Sequence, residues 1–114
     1  MKDLNFFYLA KNKSGQEDLH YMRYDSENVI SIQLTSQNVL DLWDFGVSIN
    51  EKFDKLIDLY EYETLEPELL PETLKTAQRF KEEATETKVK EAFDKAIEAI
   101  NLAIKYNSPL VFWW

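Results

Sequence analysis

The chain has 114 residues, no cysteine, 45% hydrophobic and 14% aromatic residues, and a net charge of −8 from 13 basic and 21 acidic side chains. A chain of this length forms one domain, residues 1–114, that buries about two-thirds of its unfolded surface without staples, and the composition excludes intrinsic disorder. The missing cysteines exclude disulfides, zinc–thiolate centres and thiol nucleophiles, and the acidic balance argues against direct binding of nucleic acid, whose affinity comes from clustered Lys and Arg.

The first third reads as strands. "LNFFYLA" (4–10) is aromatic-rich, and "NKSG" (12–15) supplies a turn with Gly15 where positive φ is expected. "DLHYMRY" (18–24) alternates Leu19, Tyr21 and Arg23 against His20, Met22 and Tyr24. After the turn cluster "DSEN" (25–28), "VISIQL" (29–34) alternates again. Three such segments joined by short turns predict an antiparallel meander.

Helices follow. Thr35 or Ser36 can cap a short helix through "NVLDLWDF" (38–45), closed by Gly46. Ser48 and Glu51 have capping-box spacing, and the helix they open carries Phe53, Leu56, Ile57 and Tyr60 as an apolar stripe. Pro71 suits the first turn of the next helix, whose apolar face is Leu70, Leu74, Ala77, Phe80 and Ala84. The last helix, Thr87 to Asn107, keeps Val89, Ala92, Phe93, Ala96, Ile97, Ile100, Ala103 and Ile104 on one face. Its solvated side offers a Glu91–Lys95 pair, Asn107 suits a left-handed closing residue, and Pro109 forbids continuation. "EATETK" (83–88) has no Gly or Pro, so one kinked rod competes with two helices, and two are favoured.

The chain ends on "LVFWW" (110–114), which is strand composition delivered back to the sheet by a helix about 30 Å long. Left open, this segment would be an aggregation-prone edge, so burial is favoured over an exposed docking peptide. Leu110, Phe112 and Trp114 are expected on one face, Val111 and Trp113 on the other. The resulting fold class is α+β, an N-terminal antiparallel meander of about three strands plus a C-terminal strand, packed against three to four helices. No apolar run approaches the roughly 18 residues that span a bilayer. "MKDLNFFYLAKNKSG" makes a poor signal peptide, so a cytoplasmic protein without membrane contact is expected.

Few residues suggest chemistry. Asp44-Phe45-Gly46 spells a kinase metal-binding triplet, but the glycine-rich loop, strand lysine and catalytic loop of a kinase are all missing. His20 is the only histidine, and a lone strand histidine is more often half-buried surface than a base. Asp41 and Asp44 at i, i+3 could share a helix face, yet they lack the dense spacing of a calcium loop. With only Gly15 and Gly46, phosphate-cradling loops are excluded. The expectation is a non-enzyme with no cofactor and no metal.

One constellation stands out. From Leu56 to Leu74, "LIDLYEYETLEPELLPETL" holds six carboxylates (Asp58, Glu61, Glu63, Glu66, Glu68, Glu72) and no basic residue. Asp54, Asp58 and Glu61 fall at i, i+4, i+7 of the expected helix, with Tyr60 and Tyr62 interleaved. Tyrosine is a typical interface anchor, and like charges at i, i+4 destabilise a helix, so stability alone would have mixed in lysines. An ordinary acidic surface is the bland reading. The sharper one is a partner-binding face made by Asp54, Asp58, Glu61, Tyr62, Glu63, Glu66 and Glu68.

The length, the cysteine-free acidic composition and the stretch "LDLWDFGVSINEKFDKLIDLYEYE" (40–63), followed by "LPETL" (70–74), resemble the small immunity proteins of contact-dependent inhibition and related polymorphic toxin systems of bacteria. The resemblance covers the middle third and carries no family residue over to a position here. It implies a cytoplasmic inhibitor whose partner is a cognate basic toxin domain, and a monomer or weak homodimer in the partner's absence. The alternatives are a nucleic-acid mimic that inhibits or regulates a DNA- or RNA-binding enzyme through the same face, and a small enzyme using His20 or the Asp41/Asp44 pair.

Overall fold

The computed structural model describes residues 5–114; Leu4, the first residue of the expected strand at 4–10, lies outside the described residues. The architecture is α+β, as the sequence implied: a four-stranded antiparallel sheet in the order β2-β1-β4-β3. Its strands are β1 (Asn5–Ala10), β2 (Val29–Leu34), β3 (Tyr62–Leu65) and β4 (Leu110–Trp113). Five helices accompany it among the described residues: α1 (Lys13–His20), α2 (Ser36–Asp41), α3 (Trp43–Phe53), α4 (Leu70–Glu83) and α5 (Thr87–Lys105), with a 3-10 turn at Pro67–Leu69.

The C-terminal strand is central. β4 pairs with β1 through Phe7↔Phe112 and Leu9↔Leu110, and with β3 through Leu65↔Leu110 and Tyr62↔Trp113. Because residues directly opposite one another share a face, Phe7, Leu9, Leu34, Leu65, Leu110 and Phe112 form the inner face. Val39, Phe45, Ile49, Ala77, Phe93 and Ile100 from α2–α5 close over it. Trp114 joins this cluster, and Val111 lies in a second, outer cluster with Tyr8, Ala10, Leu19 and Val29. The expected alternation of the last five residues therefore holds, with burial rather than exposure.

Helix α5 ends as its sequence says. Asn107 takes φ 49°, and the Ser108 and Asn107 N–H groups donate to Ala103 and Ile104 carbonyls, which is the Schellman pattern. Ser108, fully buried, then accepts from the Ala10 N–H at 2.8 Å and ties the helix exit to β1. Extended backbone at Ala84 and Glu86 separates α4 from α5, so the two-helix reading of 83–88 stands. On α4, Thr73 and Thr76 are buried beside Leu70 and Ala77, which their hydroxyls permit by donating to the Leu69 and Glu72 carbonyls four residues back. Lys95 turns away from Glu91 to the Asn38 side-chain oxygen at 2.9 Å, and Lys81 bridges α4 to Asp94 on α5.

Four local expectations are corrected. The segment 18–24 is not a strand, since α1 covers its first half and turns follow. Asn12 is the N-cap, accepting from the Gly15 N–H at 2.8 Å, so "NKSG" opens a helix instead of turning a hairpin. Gly15 and Leu19, at i and i+4, are its buried positions, while Tyr21 and Met22 are exposed. Gly46 does not end a helix. It sits inside α3 without positive φ, and glycine is needed there for close packing, since a Cβ would stand 2.9 Å from the Trp114 ring. The helix expected to run from Ser48 past Tyr60 stops at Phe53, where Asp54 takes φ 55°. Pairing with β4 then draws Tyr62–Leu65 into the sheet as the third strand the N-terminal region does not supply.

Candidate interaction surface

The segment 54–61, between α3 and β3, is a loop with a defined internal frame. The Asn50 amide spans it twice, donating to the Ile57 carbonyl at 3.0 Å and accepting from the Ile57 N–H at 2.7 Å, which seats Ile57 in the core. The Glu63 carboxylate accepts from the Leu56 N–H at 3.0 Å and the Thr64 N–H at 2.9 Å. Glu63 thus clips the loop to β3 and occupies a backbone donor of the edge strand, which discourages strand addition there. Asp58 accepts from the Leu59 N–H at 2.7 Å, and Tyr60 takes φ 62°.

This frame divides the seven expected partner-binding residues. Asp54, Asp58 and Glu61 are exposed along the loop and Glu68 on the 3-10 turn, none with an ion-pair partner among the described residues. The helix expected to align Asp54, Asp58 and Glu61 ends at Phe53, so these three acids are carried by a loop instead. Glu63 and Glu66 are structural: Glu66 pairs with Lys55 at 2.9 Å, while the neighbouring Glu72 faces Lys52 at 3.6 Å. Tyr62, 47% exposed, lies apart from the loop acids on the outer sheet face, stacked on Trp113 with centroids 5.7 Å apart.

The Lys55 ammonium hydrogen-bonded to Glu66, helped by the residue's own backbone N–H, holds the Glu66 carboxyl below the ordinary glutamate value. A lowered folded-state value means that the contact stabilises above the unfolded-state pKa and is lost as pH falls through the folded one. The side chain is half exposed, so the effect is small. Thermal melts of Glu66→Gln against the parent should show a deficit at neutral pH that closes on acidification below the glutamate range. A deficit independent of pH would mean that the ion pair contributes nothing.

The apolar residues of the loop were expected in a core stripe, and only part of that is so. Ile57 is buried, but Leu56 is 74% and Tyr60 96% exposed, and Leu59 is 40% exposed. Leu40 of α2 joins them at the surface. Between loop and α2 lies a cavity of about 170 Å³ lined by Asn5, Ser36, Val39, Leu40, Leu59, Tyr60 and Trp114. Sequence reasoning missed this surface because an apolar stripe at helical spacing reads as core. The signals against it were the acids that interrupt the stripe and the aspartate available for a left-handed stop.

The other candidates are dispersed. His20 is exposed at the end of α1, its ring edge-on to Tyr21 at 5.0 Å. With Gln16, Met22, Tyr62 and Thr64 it borders a groove of about 390 Å³ across the outer sheet face. Asp41 and Asp44 fall on either side of the α2–α3 junction at Leu42, and Asp41 accepts from the Gln37 amide at 2.9 Å. Phe45, the middle of the kinase-like triplet, is buried in the core. On the outer sheet face, Tyr24 stacks on Tyr8 at 4.2 Å and meets Trp113 edge-on. Burial raises both tyrosine pKa values, with Tyr62 and Tyr8 adding to the shift at Tyr24.

No group of three His, Cys, Asp or Glu side chains gathers as a metal site among the described residues, and none of their helices is long and apolar enough to cross a membrane. Comparison with protein-family models, curated proteins and solved structures finds no match.

Proposed function

We propose that the chain is a protein-binding inhibitor of the immunity type, which neutralises a basic toxin domain by docking it with the 54–61 loop. The observation that carries this reading is one loop holding exposed Leu56, Leu59 and Tyr60 together with the carboxylates Asp54, Asp58 and Glu61, which have no ion-pair partner among the described residues. Large apolar groups left in water beside fixed charge are what a docking surface needs, and Leu56 and Tyr60, at 74% and 96% exposed, bury little within this fold. Carboxylates at the rim speed encounter with a cationic partner, and the tyrosine and leucines, once desolvated, slow its release. The reading places the chain in the cytoplasm, where the target of such a toxin resides. A nucleic-acid mimic has less support, because Glu63 and Glu66 are engaged within the fold and the free acids are interleaved with leucines.

Capture of the partner from the native cell and its identification by mass spectrometry come first, followed by association kinetics. The informative variant is the triple Asp54→Asn, Asp58→Asn, Glu61→Lys. Asparagine keeps the left-handed stop at 54 and the turn acceptor at 58, whereas reversing Glu63 would release the loop from β3. Association should slow by about 10- to 100-fold at low salt and lose much of its salt dependence, with melting nearly unchanged. A triple variant that associates as fast as the parent places the interface elsewhere.

A further inference from the structure

We propose that the cavity beside Trp114 is a socket for one apolar side chain of the basic partner, a leucine or phenylalanine on a lysine- or arginine-bearing loop. The inference rests on the docking role assigned to the 54–61 loop and names what that loop receives. Three observations carry it. The cavity, at about 170 Å³, is well below the ~300 Å³ at which small-molecule sites begin, yet large enough for one ring, since a void of ~150 Å³ holds benzene. Its walls are mostly apolar: Val39, Leu40, Leu59, Tyr60 and Trp114.

The second observation is an unused donor. Trp114 is 3% exposed, and its buried Nε1 has no acceptor among the described residues. The benzo edge of the ring, Cζ3 and Cη2, lies against Gly46, which leaves the pyrrole edge with Nε1 on the opposite side. Buried indole N–H groups normally find a partner, and an inserted chain supplies one as a backbone carbonyl once its entry shifts the wall that now covers Nε1.

Charge fixes the character of that chain. The two elements that wall the cavity, α2 and the 54–61 loop, contain Asp41, Asp54, Asp58 and Glu61 against one lysine, Lys55, which is paired with Glu66. A cationic loop is therefore the complementary occupant. A second copy of this chain is disfavoured by its net charge of −8.

The test uses NMR titration of the full chain with three amidated, acetylated pentapeptides, Lys-Lys-Xaa-Lys-Lys, where Xaa is Leu, Phe or Gly. The three tryptophan indole signals are assigned with Trp43→Phe and Trp113→Phe. The Leu and Phe peptides should move the Trp114 indole proton downfield and bind about tenfold or more tightly than the Gly peptide. The Gly peptide should move only amides of the 54–61 loop. Leu59→Ser, at a partly exposed wall position, should abolish the preference for Leu and Phe. Loop amides that respond to all three peptides equally, with an unmoved Trp114 indole, overturn the socket and leave the docking role intact. Signals indifferent to every peptide at millimolar concentration overturn both.

Discussion

Removing residues 110–114 should abolish cooperative folding. β4 lies between β1 and β3 and hydrogen-bonds to both, so its loss opens a gap in the middle of the sheet and detaches β3. Leu110, Val111, Phe112 and Trp114 are each at most 3% exposed, and burying one such side chain is worth roughly 1.5–3 kcal/mol. Four of them together match the ~5–15 kcal/mol that a domain has in total. Phe112 alone touches Phe7 edge-on at 4.9 Å and stands 6.4 Å from Phe45, so it links the sheet to α3. Thermal melting followed by near-ultraviolet circular dichroism should show no transition for the truncated chain, and Phe112→Ala should lose about 3–5 kcal/mol while still folding. If the segment served only as a docking tail, the truncated chain would melt like the full one.

Those five residues were legible because strand alternation and an apolar run point the same way, and α5 is likewise written in local signals. Its stripe of Val, Ala, Phe and Ile, the left-handed Asn107 and the Pro109 stop are all read within about 20 residues. The segment at 18–24 was not legible, because both of its readings are locally admissible. Alternation favours a strand, while the Asn12 cap favours a helix. What decides is Gly15 against the Asn28 carbonyl, a contact across 13 residues that no periodicity reports.

The acidic segment failed for a related reason. Phe53, Leu56, Ile57 and Tyr60 have helical spacing, yet the sheet needed a partner for the second edge of β4, and Tyr62–Leu65 offered the right alternation. Forming β3 forces a chain reversal before it, and Asp54, Asn50 and Glu63 hold that reversal in place. Of the residues expected to bind a partner, Asp54, Asp58 and Glu61 on the loop stay exposed, while Glu63 is fastened to the Leu56 N–H and Glu66 to Lys55. Trp114 connects the core to the loop surface. It packs at centroid distances of 6.2 Å from Phe7 and 6.3 Å from Trp43, and it lines the cavity. One residue thus serves both the core and the proposed socket, so substitutions at Trp114 itself cannot separate folding from binding, whereas Leu59→Ser can.

Gly15→Ala should destabilise the protein although it improves helix propensity. Alanine is favoured over glycine inside a helix by up to about 1 kcal/mol, so a purely local argument predicts a gain. A Cβ at this position would stand 2.2 Å from the Asn28 carbonyl oxygen, 3.1 Å from its carbon and 3.0 Å from the Ala10 Cβ. The nearest of these is backbone and cannot rotate aside. Helix α1 must therefore retreat by roughly 1 Å to restore ordinary contact. That retreat strains the Asn12–Asn28 side-chain bond of 3.0 Å and the Lys11 N–H bond to the Asn28 carbonyl of 2.9 Å, and it loosens Leu19 over the outer sheet face. Overpacking of this kind costs about 1–3 kcal/mol and more where backbone resists, so the packing term outweighs propensity. A fall in Tm of about 5–10 °C is expected, with faster amide exchange at Lys11 and Gly15. Gly46→Ala meets the buried Trp114 ring at 2.9 Å, a milder overlap than 2.2 Å against backbone, and should cost less. A Gly15→Ala chain that melts at or above the parent temperature would show that α1 is not seated against Asn28 and Ala10 as described.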